Sequence, residues 1–304
     1  MKKTLLLLVT LLASLSAWAD VEITEDNFPD ANFRDWLLSQ SYGSDSVLTN
    51  EEIAGITGIN VAVRLIADLK GIEYFTALRT LDCQGNQLTA LDVSHNTALT
   101  TLDCSSNQLT TLDVSHNTAL TTLNCSSNQL TTLDVSNNTA LKRLYCNYNQ
   151  LTTLDVSNKP DLTIINCYNN RLTSLNVSNC AVLRSIDFYC NQISGEAMDN
   201  LVASLPSRLG DFQGLFRVAY LTTEDEHNVI TNTQVAAARA KNWRVQAWMP
   251  QWQDYDGVGV AVSGVEDINA AQPRSGQRYN LMGQPVGKDY KGVVVEDGQK
   301  RVIK

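Results

Sequence analysis

Between Leu78 and Ile193 the apolar residues follow one pattern that returns every 21 residues. LRTLDCQGNQLTALDVSHNTA from Leu78 and LTTLDCSSNQLTTLDVSHNTA from Leu99 are followed by copies at Leu120, Leu141, Leu162 and Leu183, the last drifting after Ile193. A weaker copy, offset by 22, puts Ile59, Val61, Ile66 and Leu69 in the slots of Leu81, Cys83, Leu88 and Leu91. Along Leu99–Cys104, period-two alternation directs Leu102 and Cys104 inward and Thr101, Asp103 and Ser105 outward, which predicts a short strand. One such coil cannot bury its own apolar side, but coils stacked ~4.8 Å apart bury it continuously. The second half of each unit repeats the leucine spacing. A 21-residue coil has no room there for a long helix, so extended or turn-like backbone is expected.

Two polar columns run through this apolar frame. Asn86, Asn107, Asn128, Asn149, Asn170 and Asn191 form a ladder whose amides are expected to satisfy backbone groups of their own and the neighbouring coil. Cys83, Cys104, Cys125, Cys146 and Cys167 share another slot, which Phe188 fills in the last copy. That exchange fits buried free thiols and argues against disulfide or metal chemistry. Cys180 and Cys190 fall outside that register.

Solenoid ends need covers. Upstream, Pro29 opens a helical pattern with Phe33, Trp36 and Leu37 on one face, and Thr49–Glu52 reads as a capping box starting a short helix. The same stretch looks like a worn calcium loop, with Asp45 and Glu52 in ligand positions. Ser41, Gly43 and Ser46 occupy positions that need carboxylates or glycine, so a plain helical cap is expected. Downstream, Met198, Leu201, Val202 and Leu205 form a helical face ended by Pro206. A strand over 215–221, a helix begun by the Thr231–Gln234 box and a strand over 243–248 follow. The expected organisation is a leader at 1–19, an N-terminal helical cap at 20–57, the array at 58–193, an α/β C-terminal cap at 194–250, a linker at 251–273 and a tail at 274–304.

The repeated L-x-x-L-x-C-x-x-N-x-L resembles the leucine-rich repeat, and the likeness covers about Gly58 to Gly195. It implies a curved α/β-class solenoid, with 21-residue units, short parallel strands and few helices. The N-terminal cap and the DVS-type repeats look like secreted, cell-surface leucine-rich-repeat proteins of the Bacteroidetes. The tail, with Tyr279–Val286, Gly292–Val295 and a final Arg-Val-Ile-Lys304, resembles the C-terminal sorting domains of secreted proteins in those bacteria, although it is shorter. That resemblance implies a secretion or sorting machinery as a partner; the alternative is a small β-hairpin module.

Charge and leader narrow the function. Lys2 and Lys3, the apolar run Leu5–Leu12 and Ala17-Trp18-Ala19 make a secretory signal peptide, too short for a membrane anchor. An exported protein, secreted or held at the cell surface, is therefore expected. The net charge of −9 becomes −11 without the two lysines, of which the tail carries +4 and the body −15. So acidic a body repels phosphate backbones and makes nucleic acid an improbable partner. His95 and His116 share one turn slot, filled later by Asn137, Asn158 and Asn179, and His227 stands alone. Asp92, Asp113, Asp134 and Asp155 stack in another slot, expected to bond locally to turn amides; the alternative is calcium held between coils. No nucleophile elbow, phosphate loop or zinc-protease motif is present. A non-enzymatic binding protein without cofactor or metal is expected. The alternatives are a structural or adhesive surface-layer component and, more remotely, an enzyme using acidic residues.

The outward strand slots locate the expected binding face. They begin bland, with Thr80, Asp82 and Gln84, then Thr101, Asp103 and Ser105. Later coils place Arg143 and Tyr145 there, and Tyr148, Tyr168 and Tyr189 just beyond the strands. Repeat geometry does not demand tyrosine at an outward slot. Its phenol offers apolar area with a polar tip and few rotors, so these five residues are the expected site for a protein or glycan ligand. Packing of these coils against the C-terminal cap is the alternative, and it bears hardest on Tyr189.

Overall fold

The computed structural model describes residues 20–210 and 212–258, and the strand backbones at 278–280, 285–286, 292–296 and 299–303. The leader and most of the expected linker lie outside the described residues.

The array is a solenoid whose main sheet has ten strands. It begins with β3 (Gly58–Asn60), β4 (Thr80–Asp82), β5 (Thr101–Asp103) and β6 (Thr122–Asn124). β7 (Arg143–Tyr145), β9 (Ile164–Asn166) and β11 (Ser185–Asp187) continue it. All pair in parallel and in strict register, so Leu81, Leu102, Leu123, Leu144, Ile165 and Ile186 line up in the core. In the second half of the units, only β8 (Thr153–Asp155) and β10 (Ser174–Asn176) pair as strands; the corresponding segments of earlier coils, 90–92, 111–113 and 132–134, have no regular secondary structure.

The asparagine ladder uses both ends of each amide. Asn107 donates to the carbonyls of Cys83 at 3.0 Å and Cys104 at 3.1 Å, and its oxygen accepts the Leu88 N–H at 3.0 Å. Asn86, Asn128, Asn149, Asn170 and Asn191 repeat this bridge between coils. The five cysteines of the repeat slot are free and fully buried, and burial pushes their thiols well up. Among the described residues all seven cysteines are free.

A second ladder escaped the sequence reading. Asn117 is fully buried and donates to Val93 O at 2.9 Å and Asn96 O at 3.0 Å; Asn96 and Asn138 do likewise one coil away. The oxygens of these three amides have no partner, so this slot requires a donor and nothing more. Lys159 fills it in the next coil, donating to Val135 O at 2.8 Å, and the Cys180 thiol fills it after that, donating to Val156 O at 3.1 Å. Cys180 therefore does have a repeat register: that of the second ladder.

The N-terminal cap holds α1 (Ala31–Leu38), α2 (Asn50–Gly55) and a two-stranded ribbon of β1 (Val21–Glu22) with β2 (Val47–Leu48). Pro29 does not open α1, because Asp30 caps it. One Asp30 carboxylate oxygen accepts the Phe33 N–H at 3.0 Å, and the other reaches the array at Ala67 N, 2.7 Å away. The Thr49–Glu52 capping box is formed. Glu52 is engaged by the Thr49 N–H and hydroxyl, and Asp45 by the Val47 N–H, as in a helical cap.

At the other end, α3 (Gly195–Ser204) covers β10, and β12 (Gly214–Tyr220) pairs with β11. β13 (Trp243–Trp248), preceded by α4 (Asn232–Ala240), extends the sheet in parallel. β14 (Trp252–Asp254) then closes it antiparallel. The expected linker thus begins inside the fold: Tyr255 is buried and Val258 bridges to Thr231. Polar composition concealed this, because an edge strand buries little. In the tail, β15 (Arg278–Asn280), β16 (Pro285–Val286), β17 (Gly292–Glu296) and β18 (Gln299–Ile303) form an antiparallel sheet.

Candidate binding face

The outward face of the main sheet carries three columns fixed by register. The first runs Thr122, Arg143, Ile164, Ser185, Leu215 and Arg244. The second runs Asp103, Asn124, Tyr145, Asn166, Asp187, Arg217 and Gln246. The third continues each strand by two residues and includes Ser105, Ser126, Asn147, Tyr168 and Tyr189. In the N-terminal half the face is small and polar, with Asn124 donating to Asp103 at 2.8 Å.

Aromatic rings dominate the C-terminal half. Tyr148 meets Tyr168 edge-on at 5.3 Å between centroids, and Tyr168 stacks on Tyr189 at 4.5 Å with 10° between planes. The row continues onto the cap. Tyr189 contacts Tyr220 at 5.8 Å and Trp252 at 5.1 Å, Tyr220 stacks on Trp248 at 5.5 Å, and Trp248 meets Trp252 at 5.6 Å. A bulge in β12 between Arg217 and Ala219 brings Tyr220 opposite Trp248. Of the expected site residues, Tyr148, Tyr168 and Tyr189 are thus brought into one row, with Tyr189 also packed on the cap. Tyr145 and Arg143 share the face one and two columns away.

Tyr148 occupies an unusual backbone slot. The third residue after each strand is left-handed, and Gly85, Ser106, Ser127, Tyr148, Asn169 and Cys190 all have φ between 51° and 67°. Glycine and asparagine take this conformation readily; a bulky ring there costs energy. Tyr148 is nevertheless half exposed.

Asp187 is buried at the centre of the face, bonded to Arg217 at 3.0 Å. Burial pushes its carboxyl above the usual range even though Arg217 pulls the other way. Arg217 also lies over the Trp252 ring at 5.0 Å. Tyr220, Trp248, Trp252 and Arg217 were missed in the sequence. The alternation in β12 and β13 was visible, but nothing in it tells which face of a cap sheet continues the face of the array.

The acidic column lies elsewhere, on the turns. Asp92, Asp113, Asp134 and Asp155 each accept the N–H of the serine two residues on, at 2.8–2.9 Å. Asp92, Asp113 and Asp134 are held below the usual carboxylate range by these serines; in Asp155 desolvation opposes the same effect without cancelling it. His95 and His116 are exposed turn residues beside Ser94 and Ser115. Among the described residues no helix is long and apolar enough to cross a membrane.

The family model for leucine-rich repeats (two copies) matches residues 76–116, 97–140 and 118–159. Internalin J of Listeria monocytogenes serotype 4b (strain F2365) is 41% identical over 73 residues, which are 23% of this chain and 8% of that protein. The functional domain of InlJ from L. monocytogenes, whose structure includes a cysteine ladder, aligns with a TM-score of 0.51 at 29% identity, over 74% of this chain and 56% of that one. Internalin C2 of L. monocytogenes strain 4b F2365 aligns with a TM-score of 0.52 at 20% identity, over 70% of this chain and 96% of that one, a likeness of fold alone. The chain spans little more than half of the InlJ domain and a small part of internalin J. Residues 76–159 thus carry leucine-rich repeats, and the coils, ladders and parallel sheet form a leucine-rich-repeat solenoid similar in fold to internalins of Listeria.

Proposed function

We propose that this is an exported, non-enzymatic binding protein, secreted or held at the cell surface, which recognises a protein or glycan through the outward face of its last coils. The observation that carries the reading is Tyr148. A bulky ring is kept half exposed in a left-handed slot that its neighbours give to glycine, serine and asparagine. Local sequence preference is broken there with no gain to the core, as is typical of functional positions. Tyr168, half-buried, extends the row, and Arg143 and Tyr145 complete the expected contact set on the same face. The leader at 1–19 supports export, and the Bacteroidetes-type tail at 274–304 supports a sorting machinery as a second partner. The test is a binding panel of immobilised surface-protein ectodomains and glycans probed with the full chain. A ligand whose binding is lost in Tyr148→Ala supports the reading. Concentration-dependent self-association with no heterologous ligand would replace it with a structural, surface-layer role, and turnover of a substrate would make the protein an enzyme.

A further inference from the structure

The coils that carry the aromatic row also carry a set of cations at their strand entrances. Lys142 and Arg143 stand at the entrance to β7, Arg184 at the entrance to β11, and Arg208 in the loop before β12; the first three are exposed. Among the described residues none of the four pairs with a carboxylate, whereas Arg217 and Arg244 are paired with Asp187 and Asp254. Arg208 instead donates to the Leu183 carbonyl and lies over the Trp243 ring at 5.7 Å. Desolvation and the nearby Arg184 both lower its pKa, as expected of unscreened like charges. This is a local excess of positive charge on a chain whose net charge is −9.

The rings are arranged in a way that selects among ligands. Tyr168 lies between Tyr148 and Tyr189, Tyr189 between Tyr168 and the pair Tyr220 and Trp252, and Tyr220 between Tyr189 and Trp248. Arg217 covers a face of Trp252. Stacking closes the facing sides of Tyr168 and Tyr189 and of Tyr220 and Trp248. A sugar ring stacks on an open aromatic face, so faces already stacked on one another favour a ligand that lays apolar side chains along the row.

We propose that this corner, from β7 to β14, docks an acidic polypeptide segment in extended form, with carboxylates on Arg143 and Arg184 and apolar side chains along the tyrosine row. Five strand spacings of ~4.8 Å give a span of about 24 Å, the reach of about seven extended residues. The assignment rests on the binding role proposed above and adds the chemistry of the partner and the share of the C-terminal cap in the site.

The test uses the full chain and labelled synthetic probes: a peptide of alternating glutamate and valine about ten residues long, its lysine counterpart, a heparin oligosaccharide and a neutral cello-oligosaccharide. The acidic peptide alone is expected to bind among these. Its affinity should fall about tenfold or more in Arg143→Glu/Arg184→Glu, and fall again as salt rises from about 50 to about 300 mM. Arg79→Glu, in the slot of Arg184 but at the N-terminal end, should leave it unchanged. If the double variant melts early, Arg143→Gln/Arg184→Gln and the salt series carry the test. No binding of the acidic peptide, or binding indifferent to both arginines, overturns the proposal, and capture of heparin without the peptide assigns the corner to an anionic glycan. A ligand that needs Tyr148 but ignores the arginines would leave the binding role standing and remove the acidic partner.

Discussion

Each buried polar residue of the array is specified by what its slot lacks. In the first ladder, Asn128 supplies a donor to Cys104 O and Cys125 O and an acceptor to Leu109 N, which no other side chain of that size does together. Asn128→Ala strips these bonds and is expected to lower stability by about 1–3 kcal/mol in chemical denaturation. Ligand binding should be unchanged, because the residue is buried. In the second ladder only a donor is needed, so asparagine, lysine and cysteine are interchangeable there. Lys159→Ala should cost about 1–3 kcal/mol by orphaning Val135 O, whereas Lys159→Asn should stay near wild type. Equal losses in the two variants would refute the donor-only slot. The first ladder was legible because its residue never changes in the complete copies. The second was not, since Lys159 and Cys180 share no chemistry with Asn138 except an N–H or S–H group.

Elements follow the coil length closely. Twenty-one residues close a turn with one or two short strands and no room for a helix, and the strands of the main sheet came out where alternation put them. The helices were legible through their caps, Thr49–Glu52 and Thr231–Gln234. Pro29 misled because a proline outside the N-cap looks the same in sequence as one just inside it. The acidic turns make a physical prediction. Their carboxylates are bonded to serine amides, so they do not need a shared cation, and melting temperatures in calcium and in chelator should coincide. A folded-state pKa below the unfolded value, about 3.9, contributes stability that is fully present above that value. It disappears as pH falls through the lower, folded values. Melting should therefore hold steady from about pH 8 to about pH 5 and decline only below about pH 4. A calcium-dependent rise in melting temperature would instead place the ion between coils.

At the scale of the molecule, one hydrophobic core runs from the N-terminal cap through the array into the C-terminal cap, while among the described residues the tail strands pair with one another. Deleting 274–304 should leave the melting transition of the remainder unchanged and, if the tail is a sorting signal, hold the protein in the periplasm. Normal surface delivery of the truncated chain would remove that role. The solenoid itself was legible because a repeat states its own stacking; the site was only half legible. Tyr148 and Tyr168 stood out against bland copies, but their neighbours Tyr220, Trp248 and Trp252 come from a cap with no repeat to compare against. The claim that joins these scales is that the inner slots hold the fold while the outer tyrosines are free to bind. It is tested most directly by measuring ligand affinity and melting temperature together for Tyr145→Ala, Tyr148→Ala and Tyr168→Ala. Affinity should fall about tenfold or more while melting stays within a few degrees of wild type. Early melting with affinity intact would make these tyrosines part of the scaffold and contradict the binding face.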